Sequence, residues 1–311
     1  MKKYILLPTL LGILVYFVNV RVLPAMTLNG FDLDQPLVAE DQIKRGGPPR
    51  DGIPSIDKPK FVSVADADHL KADDRVLGLV INNEARAYPI VILNWHEIVN
   101  DEFDGQAVVI SYCPLCGTGM AFSPEPPVRE FGVSGLLYNS DMLLYDRETE
   151  SLWSQIMATA ISGPMKGKKL AAIPISHTSW SDWKAQHPGS RVLSTQTGYA
   201  RDYSKTPYGD YEKSNKIFFP VAAGDQRYHN KEWVLGVNIG ETYKAYPFSE
   251  LAKTSSPVKD SISGQQIEVF FDRNNSSASA RDEQGRQIPA LMSYWFAWYA
   301  FHPDTEVYRV P

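Results

Sequence analysis

Cysteine is nearly absent from this chain: its 311 residues include two, Cys113 and Cys116. So small a supply excludes a disulfide-scaffolded secreted domain, which needs several pairs in place of a core. Basic clusters are missing as well. No run of five or more Lys or Arg occurs, and the formal charge is -5 with a pI near 5.7. Phosphate binding needs concentrated positive charge, so nucleic acid is not an expected partner. The short motifs of common enzymes are lacking too. There is no G-x-S-x-G elbow, no H-E-x-x-H, no P-loop and no G-x-G-x-x-G after a strand. "GVSGL" (Gly132 to Leu136) does not have the elbow's spacing.

What is present is ample core material, with 43% hydrophobic and 12% aromatic residues. The 22 prolines and 21 glycines are spread along the chain and favour many short elements joined by turns. At the start, Lys2 and Lys3 precede the apolar run Tyr4 to Val20, and Arg21 follows it. This pattern makes residues 1–26 a secretory signal peptide or an N-terminal signal-anchor. The run of 17 residues is long for a signal core and short for a spanning helix. Ala25 is a candidate cleavage position, although Leu23 is a poor small-residue match. The expectation is an extracytoplasmic body, periplasmic or cell-surface, whose contact with membrane runs through that segment alone. Exported proteins form disulfides or avoid cysteine, which gives weight to the two that are kept.

Residues 27–60 read as an extended lead-in or linker, because "KRGGPPRDGIPSIDKPKF" (Lys44 to Phe61) carries paired Gly and paired Pro. Ser63 to Asp74 offers a short helix capped by Ser63. An internal repeat follows. "VLGLVINNEARAYPIVIL" (Val76 to Leu93) matches "VLGVNIGETYKAYPFSEL" (Val234 to Leu251), and Val99 to Pro114 continues the match against Val258 to Arg273. Each copy reads as a hairpin, a loop and a strand. The first strand runs into Cys113-Pro114-Leu115-Cys116, and its counterpart runs into Asp272-Arg273-Asn274-Asn275. Between the copies, Phe131 to Ile156 alternates around "DRET" as a further hairpin. His177 to Pro188 is the best helix, capped by Ser179 or Ser181. The aromatic run Ser293 to Pro303 reads as core packing. The fold expected is mainly β (β-rich α+β) with few short helices. Its two related β units, about 76–122 and 234–275, form a pseudo-symmetric pair around a hairpin and helix region at 131–220, all within one domain spanning 61–311.

Long strings of this sequence resemble the DUF3179 family of uncharacterised bacterial and archaeal proteins. They are "SYCPLCGTGMAF" (Ser111 to Phe122), "FGVSGLLYNSDMLLYDRETESLWSQ" (Phe131 to Gln155), "HTSWSDWKAQHP" (His177 to Pro188), "TGYARDY" (Thr197 to Tyr203) and "FAWYAFHP" (Phe296 to Pro303). The resemblance runs from about Asp51 to the C-terminus. It implies one point of chemistry: some members are described as selenoproteins with selenocysteine in the cysteine motif, which favours a redox role. Here both positions are cysteine.

Three readings of Cys113 and Cys116 stay open. In the first they are the catalytic pair of a thiol–disulfide oxidoreductase or redox relay with a protein thiol or disulfide partner, Cys113 attacking and Cys116 resolving. Gly117 and Gly119 argue against a thioredoxin-like helix there, so activation would come from N–H groups of the Gly-rich turn or from His96. In the second reading, "CPLCG" is half of a metal knuckle. His96 would complete the set Cys113, Cys116, His96 around zinc or copper. In the third, the pair is a staple of a non-catalytic, partner-binding β module, although so short a loop gains little from closure. The redox reading needs no cofactor. Asn139 and Asp141 in "YNSDM", and Arg201 and Asp202 in "TGYARDY", are ligand-orienting candidates beside their ordinary use in turns.

Overall fold

The computed structural model describes residues 27–310. The signal or anchor expected over 1–26 lies outside the described residues. Of the described residues 41% are strand and 12% helix, 3-10 turns included, so the mainly β expectation with few short helices holds. The helices are α1 (Ile90–His96), α2 (Trp180–Gln186), α3 (Phe248–Leu251) and α4 (Trp295–Phe301). No helix among the described residues is long and apolar enough to cross a membrane.

Five sheets of four or five strands are arranged as a β-propeller-like ring, with a further two-stranded ribbon near the start. The first matched stretch forms the hairpin Arg75–Ile81 with Glu84–Pro89. The second forms Trp233–Ile239 with Thr242–Pro247. Their registers agree, since Val76 faces Pro89 and Val234 faces Pro247. Proline has no N–H for the ladder, so each strand ends there and a short helix begins. A strand lies antiparallel along each hairpin, Ser176–Ser179 in one and Ala290–Tyr294 in the other. Helices α2 and α4 then return the chain to a strand lying parallel to the hairpin's other side.

The same contacts hold both arrangements together. The rings of Trp183 on α2 and Trp298 on α4 lie against Gly78 and Gly236, where a Cβ would come within 2.1 and 2.0 Å of the indole. The indole N–H groups donate to Ser190 and Thr305, each at 2.9 Å. Tyr88 and Tyr246 donate to Asp101 and Asp260 at 2.6 and 2.8 Å. The same carboxylates pair with Arg86 and Lys244. The glycine of "VLG", the tyrosine of "AYP" and the aspartate beyond are thus one device used twice.

The expectation of two related units packed as a pseudo-symmetric pair is corrected: they are parts of a five-sheet ring. Each unit contributes two sheets, and residues between them form a fifth from Phe131–Tyr138, Asp141–Asp146, Leu152–Ser154 and Thr159–Ser162. Ile43–Arg45 adds an edge strand to it. The 27–60 segment is therefore built into the body, with Phe31, Leu33, Ile43 and Ile56 buried. Ser63 does cap a helical turn, but the turn is the short 3-10 segment Val64–Asp66. Ser179 caps α2 by accepting the Asp182 N–H at 3.2 Å. The aromatic run near the end is core packing in helical form, with Trp295, Phe296 and Trp298 buried on α4.

The Trp298 contact generates the first prediction. Gly236→Ala forces a methyl into the indole and should destabilise the fold by about 1–3 kcal/mol, the usual cost of overpacking. Gly224→Ala, where nothing lies within 4 Å, should change little. Urea denaturation of the two variants against the parent chain checks this.

Candidate functional site

The cysteines lie at the tip of a hairpin. Strand Gln106–Cys113 pairs with Thr118–Ser123, Cys113 faces Thr118, and the Cys116 N–H donates to the Cys113 carbonyl at 3.2 Å. Gly117 has φ +67°, and a Cβ there would lie 2.8 Å from Trp233 and 3.1 Å from Tyr294. The turn therefore needs glycine both for its backbone and for the close approach. Gly119 is extended, and its missing side chain makes room for Leu77. Both glycines shape the tip, and both cysteines are free and buried.

A second hairpin delivers the third member. Strands Phe131–Tyr138 and Asp141–Asp146 are joined through Asn139 and Ser140, both with positive φ, as a tight two-residue turn requires. This turn sets Asp141 against the sulfurs. The Cys113 and Cys116 Sγ atoms and an Asp141 carboxylate oxygen lie within 4.8 Å of one another. The Cys116 thiol donates to the Ser140 carbonyl at 3.4 Å, and the Tyr294 N–H donates to the Cys116 carbonyl at 2.8 Å. Asp141 Oδ2 accepts the Ile156 N–H at 3.1 Å, while its buried Oδ1 has no hydrogen-bond partner. Burial pushes the Asp141 carboxyl up to about 7, and it raises both thiols above the ordinary cysteine range. Desolvation is the first cause in all three, so without a cation the cluster favours its neutral, protonated form.

The corresponding tip in the second unit shows what the first lacks. There Asp272 Oδ1 accepts the N–H groups of Asn274 and Asn275 at 2.9 and 3.2 Å, and Asn275 Nδ2 donates to Asp272 Oδ2 at 2.7 Å. That carboxylate is satisfied within its own turn. Asp141 is not.

The other candidates are placed as follows. His96 is not brought to the sulfurs. Its Nδ1 lies 2.7 Å from the Pro54 carbonyl and must donate to it, leaving Nε2 to accept from the Tyr203 hydroxyl at 2.7 Å. Both ring nitrogens are occupied, and burial lowers the imidazole's pKa. The set Cys113, Cys116, His96 is thus not assembled, and Asp141 stands where the histidine was expected. Asn139 is a brace, donating to the Ala300 carbonyl at 3.1 Å and accepting the Ala222 N–H at 2.8 Å. Arg201 and Asp202 are exposed, with Arg201 over the Trp95 ring and Asp202 paired to Lys205 at 2.8 Å. Neither belongs to the cysteine cluster.

Sequence reasoning missed Glu97, Tyr208, Tyr211 and Lys231. Glu97 is buried, ends α1 with φ +57°, and accepts the Tyr208 hydroxyl at 2.8 Å. Burial pushes its carboxyl up to about 7. Tyr203 and Tyr208 lie on the long segment from Ser194 to Lys231, whose regular structure is a single 3-10 turn at Tyr211–Lys213. Loops of such length inside a compact body are usually functional. This one forms a strap fastened by His96 and Glu97, and its Tyr211 packs into the same buried cluster as the cysteines. The signal available in the sequence was the run of tyrosines at 199, 203, 208 and 211 in a stretch without periodicity.

A family model described as a protein of unknown function (DUF3179) matches residues 50–305. The chain belongs to that family. No curated protein and no solved structure matches the chain.

The two buried carboxyls set a pH dependence. Their folded pKa values lie above the ordinary carboxylate range, so the folded state holds these protons more tightly than the unfolded chain does. The stability this contributes is complete below the unfolded values near 4 and is lost as pH rises through about 7. Metal-free protein should therefore unfold at lower urea at pH 8 than at pH 5, and Glu97→Gln should flatten part of that slope. A slope unchanged in the variant would remove Glu97 from the account.

Proposed function

We propose that this chain is an exported metal-binding protein, with residues 1–26 as its export signal or anchor, and that Cys113, Cys116 and Asp141 hold a zinc ion. One observation carries the reading: a buried carboxylate oxygen with no N–H or O–H donor faces two free buried thiols, whose weak S–H groups are the donors beside it. Leaving such an oxygen unpaired costs about 1–3 kcal/mol or more, and a cation at the centre of the triad removes that cost. The hairpin supports it, since Cys-Pro-Leu-Cys-Gly with Gly117 in the left-handed region presents both sulfurs from one tight turn.

Zinc fits the donor set better than copper. Zn2+ accepts thiolate and carboxylate together, whereas Cu(I) prefers sulfur ligands throughout, and a carboxylate is a poor third donor for it. The thiol–disulfide relay is the rival reading. Against it stand the burial of both sulfurs and their raised pKa values, since exchange runs through an accessible thiolate. Asp141 could accept a proton from either thiol, which keeps that reading chemically coherent.

Native mass spectrometry of the reduced full chain, supplied with zinc, decides between them. The expected result is one zinc per chain, with proton release on binding, because both thiols, and Asp141 where the pH is below about 7, must give up their protons. Asp141→Asn should weaken zinc by more than the roughly 10- to 100-fold that loss of an outer-shell partner costs. Zinc-free protein that readily forms a Cys113–Cys116 disulfide at glutathione potentials would overturn the metal reading in favour of the relay.

A further inference from the structure

Asp141 Oδ1 and the Ser140 hydroxyl beside it in sequence are buried without a close partner in the protein, and so is the hydroxyl of Tyr211, which packs in the same buried cluster as the cysteines and whose nearest backbone group is that of Phe218. Zinc accounts for the carboxylate. It does not account for the two hydroxyls, which are not zinc ligands. Both are able to donate, and both are shielded from solvent. Three protein donors also leave a tetrahedral ion one ligand short, the arrangement that separates exchangeable zinc sites from closed ones.

Charge narrows what fills the gap. Two thiolates and a carboxylate around Zn2+ leave one net negative charge. Lys231 is buried, with its Nζ 3.8 Å over the Tyr211 ring and donating to the Lys216 carbonyl. Its ammonium offsets the excess, so a neutral fourth ligand keeps the buried site balanced. The triad itself is buried, and the nearest cleft reaches only its neighbours. A cleft of about 1020 Å3 is bordered by Gly119, Ile156 and Leu291, and Ile156 is the residue whose N–H holds Asp141.

We infer that the centre is open: its fourth position takes an exchangeable oxygen donor, water at rest, oriented by the hydroxyls of Ser140 and Tyr211 and replaceable by a small oxygen- or nitrogen-donor molecule. This rests on the zinc reading. Tyr211 is a positioning residue, acting on the metal through the ligand it holds.

Cobalt replaces zinc in the full chain for the test, and imidazole, a neutral nitrogen donor, is the probe. A near-ultraviolet thiolate-to-cobalt band reports the metal on the cysteines, and the visible bands report the fourth ligand. Imidazole should shift the visible bands and leave the thiolate band in place. Tyr211→Phe should change the imidazole half-saturation by about fivefold, the worth of one hydrogen bond, again with the thiolate band intact. A thiolate band with visible bands indifferent to imidazole would mean a closed, structural centre and would overturn this inference alone. An imidazole response identical in Tyr211→Phe would remove the tyrosine from it. Absence of the thiolate band would overturn the zinc reading and this one with it.

Discussion

The account turns on one buried oxygen. Asp141 is held by a tight turn between two strands, accepts one N–H through Oδ2, and presents Oδ1 to a space closed by two thiols. An interior that leaves a carboxylate half satisfied is paying a desolvation cost it does not recover from the protein alone. Protonation relieves part of that cost, which is why the carboxyl is pushed up to about 7. A cation relieves it more fully and turns the three neighbours from competitors for protons into ligands.

The rest of the fold makes sense as the means of keeping that space intact. Gly117 allows Trp233 and Tyr294, paired in the sheet built on the second hairpin, to close over the cysteine tip. The second unit's own tip rests on the first, since Arg75 donates to the carbonyls of Asn275 and Ser276 and Ser179 donates to Asn275. The fifth sheet supplies Asp141, and the strap supplies Tyr208 and Tyr211. Every one of these pieces is distant in sequence from Cys113, and the site exists only where they meet.

That distance sets what the sequence could disclose. The hairpins around "NNE" and "GET" were legible because alternation and turn residues are local, as was the capping of α2 by Ser179. Gly117 and Gly119 were legible as a turn. Asp141 was noticed as part of a polar string, but nothing local ties it to Cys116. The tie is made by a β-turn and a sheet-to-sheet contact. His96 is a candidate for the sulfurs on sequence proximity alone, and the helix it ends points its ring toward Pro54 and Tyr203 instead. The fifth sheet was hidden for a similar reason. Its strands are buried on both faces, so the sequence between the matched stretches showed a hairpin but not the wider sheet that the lead-in completes.

The measurement that bears most directly on the central claim is X-ray absorption at the zinc edge on the zinc-loaded full chain. The account predicts two sulfur scatterers at about 2.3 Å and two lighter oxygen or nitrogen scatterers at about 2.0–2.2 Å. A first shell of oxygen and nitrogen alone would place the metal elsewhere on the protein. It would leave Cys113, Cys116 and Asp141 without the cation on which this account depends.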